Sequence, residues 1–593
     1  MNHLLGRSSR LWLAPLVLAT VLLASGPVAA ASVEAVATVL RDVLGRSEDS
    51  RSLWVGCERI HAGGDLVRFY RNRGFVPVWV HAGTPSVQAR EFARVLADAG
   101  RHGLTPADYH YGCIRDWLAY FRRGGSDQAL VSDRALAGFD IVMTDAFITF
   151  ASHLVGGKVD PETIYPQWVA RKRSLEVLEV LSALDSHGSV VRLLAALSPA
   201  HPDYQRQVAA AEELRRIVDA GGWPSLDPGK TLRRDDSEPE VRKLRERLAI
   251  SGDLRDRGLR EADFDAVLAG AVARFQRRHG LEPDGVVGRA TLRALNVPAD
   301  QRLRQLLLNL ERWRWIPHDL GRRYILVNAA DFSLVAVADG AQRLSMRVIV
   351  GEAYQKTPVF SREMRYLEIN PYWNVPHSIT VAEYLPKIRR DPAYLAANHF
   401  QLLADWRPDS AVIDPAGVDW DAVSAERFPG RLRQLPGPWN ALGRIKFMFP
   451  NPFNVYLHDT PGRSLFNRRQ RALSHGCIRL EKPLELAAFV LEGTPGWDLA
   501  DIRAAVDGGL RQTVRPLKGC TVHLLYWTAW VDADGTVNFR EDVYERDGVL
   551  WAALNREPLE QLGAPLRLNG SAAILELVAE LPTRSEPAPH RRE

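Results

Sequence analysis

Cys477 stands in the run Ser474-His475-Gly476-Cys477-Ile478-Arg479-Leu480, and nineteen positions upstream His458 opens the run His458-Asp459-Thr460-Pro461. A free thiol near pH 7 is only a few per cent thiolate, so a nucleophilic cysteine needs a base within reach. An imidazole can take the proton and lower the thiol pKa. His475 and His458 are both candidates. His475 is two residues from Cys477, and an extended segment would turn both side chains to one face. His458, at the end of a predicted strand, can approach across a sheet. Gly476 lets the chain turn tightly, so that nearby amides face a developing oxyanion. Arg479 is placed to hold a substrate carboxylate through two parallel hydrogen bonds. Thiol, imidazole and amide donors converging on one point are what acyl transfer through a thioester requires.

A metal site is the competing chemistry, because two histidines and a cysteine are zinc ligands. No fourth ligand stands at a familiar spacing, and the chain holds no Cys-x-x-Cys pair. No metal and no cofactor is therefore expected. A blander role is also open to His475, that of a satisfied histidine orienting the turn.

The elements around this run say where it works. Arg7 and Arg10 precede an apolar stretch, Leu11–Leu23, and small residues follow through Ala31, with Val28 and Ala30 at the positions of a cleavage site. Residues 1–31 read as a secretory signal peptide, which predicts export. An uncleaved membrane anchor is the alternative, but the apolar core is short against the roughly 20 residues a spanning helix needs. No later stretch reads as a spanning segment. The 593 residues carry a net charge of +5, with 25% charged and 46% hydrophobic residues, an ordinary globular composition too long for one core. No Lys/Arg run is interleaved with aromatics, so nucleic acid is not an expected partner. In an oxidising compartment Cys57 and Cys113, both in the N-terminal region, are a candidate disulfide, whereas Cys477 must stay free and Cys520 reads as a buried structural cysteine.

The organisation predicted is multidomain α+β. Residues 32–230 read as an all-α scaffold, with a helix from Val87 capped by Ser86 and a longer one over Asp133–Val155 that is apolar around much of its circumference. A compact unit follows over 235–298. Val241, Leu244 and Leu248 stripe one helix, Val267, Val272 and Phe275 a second, and the turn Gly280-Leu281-Glu282-Pro283-Asp284-Gly285-Val286-Val287-Gly288 leads into Thr291, Leu292 and Leu295-Asn296. This pattern resembles the small three-helix peptidoglycan-binding domain; the same residues would also serve simply to hold three helices together. From Tyr324 the texture turns to strands, over Tyr324–Asn328, Ser333–Ala338, Leu344–Val350 and Ile445–Leu457. An insertion over about 376–444 is too long for an ordinary loop and reads as a substrate-covering cap or an excursion with its own core. Thr521–Val531 and Thr536–Phe539 read as a hairpin closing the sheet, within a C-terminal extension over 515–580 that packs on the catalytic domain. Residues 582–593 read as a disordered tail.

His458-x-Thr460 followed by Ser474-His475-Gly476-Cys477-Ile478-Arg479-Leu480 resembles the catalytic motif of the L,D-transpeptidases with a YkuD-type domain. The likeness extends through Asn454-Val455-Tyr456-Leu457-His458-Asp459-Thr460-Pro461. The whole order of parts resembles the large periplasmic Gram-negative members, whose β-rich catalytic domain would here span 322–505. The resemblance implies Cys477 as nucleophile and His458 as general acid/base, the latter oriented by the Asp459 carbonyl. It implies that His475, Gly476 and Ser474 shape the turn and oxyanion site, and that Arg479, Tyr456 and Trp373 contact substrate. The implied partners are peptidoglycan stem peptides as donor and acceptor, glycan strands at the small domain, and carbapenem-type beta-lactams as inhibitors. The implied reaction is a 3→3 cross-link; a protein lysine or water as acceptor, or a non-catalytic wall-binding scaffold, are the alternatives.

Overall fold

The helix Asp133–Gly156 runs 24 residues with almost no polar face. By length and composition it is apolar enough to cross a membrane, which corrects the expectation that no such stretch follows the leader; 89% of its most apolar window is buried in protein. A helix hydrophobic all round belongs inside a protein core or a membrane, and here it is packed by protein. The computed structural model describes residues 33–555 except 46–52, 57, 124–131, 170–179, 182–183, 185–188, 228, 230, 256–261, 318 and 408. The expected leader, Cys57 of the candidate disulfide, and the expected tail lie outside the described residues. Those described divide into two compact units, one of residues up to Arg90 with Gly112–Asp145, the other of Glu91–Tyr111 with everything from Ala146 onward.

In the first unit the ladder of β1 (Trp54–Val55) with β2 (Glu58–Arg59) lies between the helices Val33–Gly45 and Gly63–Asn72, and that of β3 (Val80–His81) with β4 (Thr84–Pro85) follows them, both antiparallel. The N-terminal region is thus helical with small ladders, where the sequence predicted helix alone. The buried Asp140 carboxylate accepts the amides of Val78 at 3.0 Å and Trp79 at 2.7 Å, and the Tyr70 hydroxyl.

In the second unit the helices Pro239–Ile250, Ala266–Arg278 and Arg289–Leu295 close on a core that holds Val241, Leu244, Leu248, Val272, Phe275 and Leu292. Val267, predicted on that stripe, is 50% exposed. The buried Gln276 side chain binds the turn together. Its amide donates to Asp284 Oδ1 at 2.7 Å, Val286 O at 2.8 Å and Thr291 Oγ1 at 3.0 Å, and its oxygen accepts the Gly285 amide at 2.9 Å. The Gln…Asp-Gly…Thr pattern therefore holds three helices in place.

The region expected to be the catalytic domain is a sheet built from β5 (Arg323–Asn328), β6 (Ser333–Ala338), β7 (Ala341–Gly351), β8 (Phe360–Glu363) and β9 (Tyr366–Ile369). An insertion adds β10 (Trp373–Asn374), β11 (Phe400–Leu403), β12 (Val412–Ile413) and β13 (Arg431–Gln434) as its own four-stranded sheet. The chain returns through β14 (Ile445–Met448), β15 (Leu457–His458), β16 (Ala472–Ser474), β17 (Ile478–Leu480), β18 (Gln512–Val514) and β19 (Thr521–Leu525). The spatial order is β18-β9-β14-β15-β17-β7-β6-β5-β19-β8, with β16 beside β7. The insertion has a core of its own, with Trp373, Leu385, Phe400, Trp420 and Leu432 buried together.

Two strand expectations change. Ile445–Leu457 is not one strand but the hairpin β14–β15, because Pro450 and Pro452 cannot donate to a ladder and turn the chain. Thr521–Val531 likewise breaks after Leu525. β19 lies between β5 and β8 inside the sheet, while β20 (Ala529–Val531) and β21 (Val537–Phe539) pair with each other outside it. β18 and β19 thus belong to the catalytic sheet although they follow residue 505.

Candidate active site

The turn that carries Cys477 joins β16 to β17 and is tied at both ends. Buried Ser474 accepts the Gly476 amide on its hydroxyl at 3.2 Å and donates that hydroxyl to Cys477 O at 2.6 Å. Gly476 sits at φ +107, in the region that favours glycine. Its carbonyl accepts the Thr357 hydroxyl at 2.9 Å, and that hydroxyl in turn accepts the Gly351 amide at 2.9 Å. Tyr544, far along the chain, donates to Gly351 O at 2.7 Å. A Cβ on Gly351 would lie 3.0 Å from Gly476 Cα and 2.0 Å from Gln355 O, so the two backbones can meet only without a side chain there. The amide of Ile478 donates to Tyr456 O at 3.1 Å. Among the described residues the amides of His475 and Cys477 have no acceptor, and Cys477 itself is half-buried.

The registers of three adjacent strand pairs set the surroundings. Lys446 is opposite Glu368 across β14–β9, His458 opposite Lys446 across β15–β14, and Arg479 opposite His458 across β17–β15. Directly opposed residues share a face of the sheet. Glu368, Lys446, His458 and Arg479 therefore form one polar row across four strands. Lys446 Nζ lies 3.9 Å from Glu368 and 4.1 Å from the centre of the Tyr456 ring, whose edge meets the His458 ring with centres 5.7 Å apart. Arg511 also pairs with Glu368, at 2.5 Å.

His458 is buried, and its Nδ1 lies 2.5 Å from the Asp459 carbonyl. A carbonyl only accepts, so Nδ1 carries the proton and Nε2 keeps its lone pair. Burial first, then the Arg479 charge, hold the imidazole down to about 3, against the pull of the Asp459 carbonyl. Burial pushes the Cys477 thiol up, opposed by the Tyr456 amide, the Lys446 charge, the Tyr456 hydroxyl and the Arg479 charge. At pH 7 the site therefore holds a neutral thiol and a neutral imidazole. Asp459 is positioned from its side chain, which accepts the Arg444 amide at 2.8 Å and lies 3.5 Å from Arg463. Gly443, at φ +63, makes room for it: a Cβ there would come within 2.3 Å of Asp459 Cγ.

The sequence-derived set divides on this geometry. Cys477, His458, Asp459, Ser474, Tyr456 and Arg479 gather at one site, and Arg479 has no ion pair among the described residues. His475 does not turn with Cys477, because Gly476 breaks the extended run. It points to the insertion, where its Nε2 is 2.7 Å from Glu383. The Gly476 amide is engaged by Ser474 and is not itself a free oxyanion donor. Trp373, expected to contact substrate, is only 8% exposed and packs in the insertion core against Tyr384 and Phe400. Burying so large an apolar ring is its main contribution there. Cys520 is a buried thiol, and neither it nor Cys477 is in a disulfide. Sequence reasoning missed Lys446, Glu383 and Gly443. Lys446 and Gly443 lie in Gly443-Arg444-Ile445-Lys446, next to an apolar run, and an alternating strand reading with β14 against β15 was the signal for Lys446.

Cys477, on the turn before β17, and His458, on the adjacent strand β15, lie within one curled β-rich sheet. Residues 322–497 match the family described as "L,D-transpeptidase catalytic domain", residues 237–295 that described as "Putative peptidoglycan binding domain", and residues 64–210 a "Scaffold domain". The chain thus carries one region similar to each of these three domain families, the L,D-transpeptidase catalytic domain among them. A Haemophilus influenzae protein named "Putative L,D-transpeptidase" is 37% identical over 244 residues, 41% of this chain. The chain spans 48% of the length of that relative. Among solved structures, an L,D-transpeptidase from Stackebrandtia nassauensis aligns at 13% identity over 51% of this chain and 96% of its own, with a TM-score of 0.20. One from Xylanimonas cellulosilytica aligns at 17% identity over 51% and 98%, with a TM-score of 0.16.

Proposed function

We propose that the protein is a periplasmic L,D-transpeptidase that forms 3→3 peptidoglycan cross-links through an acyl-enzyme on Cys477. The observation that carries this reading is the half-buried Cys477 on a tied turn, beside the row Lys446–His458–Arg479. The donor is a stem tetrapeptide ending in diaminopimelate–D-alanine, and free Arg479 is the group to hold its carboxylate. Cys477 Sγ attacks the carbonyl of the diaminopimelate L-centre while His458 Nε2 takes the thiol proton. The unengaged amides of His475 and Cys477 are the donors offered to the oxyanion. The C–N bond breaks, D-alanine leaves with the proton from His458, and a thioester remains. A side-chain amine of a neighbouring stem then attacks, His458 receives its proton and returns it to sulfur, and the amide cross-link is released. The resting imidazole is neutral, so its Nε2 lone pair is available to the thiol proton and no ion pair has to be broken first.

The test is to incubate purified protein with disaccharide-tetrapeptide and weigh the products. A dimer lacking one D-alanine supports cross-linking. Tripeptide alone replaces the amine by water as acceptor, and an acyl-enzyme that reacts only with an added lysine peptide replaces it by a protein. Full activity in Cys477→Ala would sink the mechanism. A carbapenem should add its mass to Cys477, and wild-type protein left unmodified by it would count equally against the nucleophile.

A further inference from the structure

A cavity of about 440 Å³, sharing no residue with the site above, lies between the helix Pro202–Asp219, the helix Pro239–Ile250 and the β20–β21 hairpin. Its walls are largely apolar, with Leu214, Ile217, Trp223 and Ile250, yet its floor holds Arg247, Arg278 and Arg302. Among the described residues only Arg278 has a carboxylate partner, Asp253, at 2.5 Å. Arg247 is 1% exposed. It stacks 3.8 Å over Trp223 and donates Nε to Leu295 O at 3.0 Å, while its Nη1 has no partner among the described residues. Arg302 is 9% exposed and donates to Gln305 Oε1 at 2.9 Å and Ala294 O at 3.3 Å, and its Nε is likewise without a partner. At the rim, Arg206 and Glu213 are already paired with Asp203 and Arg216.

Two buried guanidiniums with no direct ion pair among the described residues are an unusual way to finish a core, since buried charges are ordinarily paired and unpartnered buried donors are rare. Burial and their mutual repulsion with Arg278 pull Arg247 and Arg302 down to about 9, a strain that a bound anion would relieve. A guanidinium fork matches a carboxylate in shape, and apolar walls disfavour a hydrated inorganic ion. We propose that this cavity binds a carboxylate borne on a small apolar body, with Arg247 and Arg302 holding the carboxylate and Trp223, Leu214 and Ile217 enclosing the body. Two sources carry this chemistry: a free aliphatic carboxylate, and the terminal D-alanyl carboxylate of a stem peptide, the latter resting on the function proposed above.

The test measures thermal unfolding of the full chain in the Cys477→Ala background, where turnover plays no part. Hexanoate, N-acetyl-D-alanyl-D-alanine and chloride are compared at equal ionic strength. One carboxylate or both should raise Tm saturably, by roughly 2–4 °C at ten times the dissociation constant, with chloride inert. A shift with hexanoate assigns the free carboxylate as a source, and one with the dipeptide assigns the stem. Arg247→Met should raise the unliganded Tm by removing an unpaired charge and abolish the shift. Ala209→Trp, at an exposed position on the cavity wall, should abolish the shift with the arginines intact. No saturable shift with either carboxylate, an equal shift with chloride, or a shift that survives both variants would overturn the proposal. Because Cys477 is absent from this experiment, failure here leaves the acyl-transfer reading standing, and the converse also holds.

Discussion

His458 and Arg479 are direct partners across the parallel pair β15–β17, so an imidazole and a guanidinium share one face of the sheet. The guanidinium adds to burial in keeping the imidazole neutral, and among the described residues it has no ion pair of its own. On the function proposed above, one residue both tunes the base and offers a fork to the substrate carboxylate.

Replacing Arg479 separates these two effects. Arg479→Met should raise KM for a donor with a free carboxylate by about tenfold or more, the cost of one charge-assisted contact. Arg479→Lys should recover only part of that, since it keeps the charge and loses the fork. Steady-state kinetics on acid and amidated donors check this: KM for the amidated donor should not distinguish the variants, while a change in kcat common to both donors reports the effect of the charge on His458.

Acid should unfold the catalytic domain partly through His458. Its pKa is held to about 3 in the fold against 6.5 when exposed. The unfolded chain therefore binds the extra proton between these values, and stability rises with pH there. The contribution is complete above pH 6.5 and is lost as pH falls toward 3, on the order of 4 kcal/mol in all. Denaturant titrations at stepped pH should show a shallower slope in His458→Gln than in the wild type. Equal slopes would mean His458 charges freely in the fold.

Lys446 should lower the thiol pKa across the face of Tyr456. Lys446→Met keeps the stem of the side chain and leaves Glu368 paired with Arg511, so the fold should persist. The pH profile of Cys477 alkylation by iodoacetamide should move upward, with acylation at pH 7 slowed about three- to tenfold. An unmoved profile would remove Lys446 from the site's electrostatics.

Gly443 should tolerate no side chain. Gly443→Ala puts a Cβ at φ +63 and within 2.3 Å of the Asp459 carboxyl group, which should cost about 2–4 kcal/mol and displace the carbonyl that orients His458. Thermal unfolding and carbapenem acylation measured together check it: wild-type behaviour in both would show that Asp459 can shift freely.

The candidate nucleophile was legible because its setting is local. Ser474 to Arg479 is six residues, and the turn, the tie from Ser474 and the cation beside the thiol are all written within it. The three-helix unit was legible for the same reason, as Gln276 reads its Asp-Gly turn only a few residues on. The hairpin at 445–458 was misread because the alternating apolar pattern ran past Pro450 and Pro452, whose missing amides decide where pairing stops. Trp373 was misassigned because an aromatic ring beside a motif looks the same in sequence whether it faces a cleft or a core.

By itself, then, the sequence determined the candidate reactive groups and the order of the parts, since these rest on patterns among near neighbours in the chain. The tertiary structure decided which groups meet. Strand register put Lys446 and Arg479 on either side of His458, the turn at Gly476 sent His475 to Glu383, and a helix, a small domain and a hairpin brought three arginines around one cavity. These are pairings between distant segments, and they depend on which strands and helices lie side by side, which residue spacing along the chain does not record.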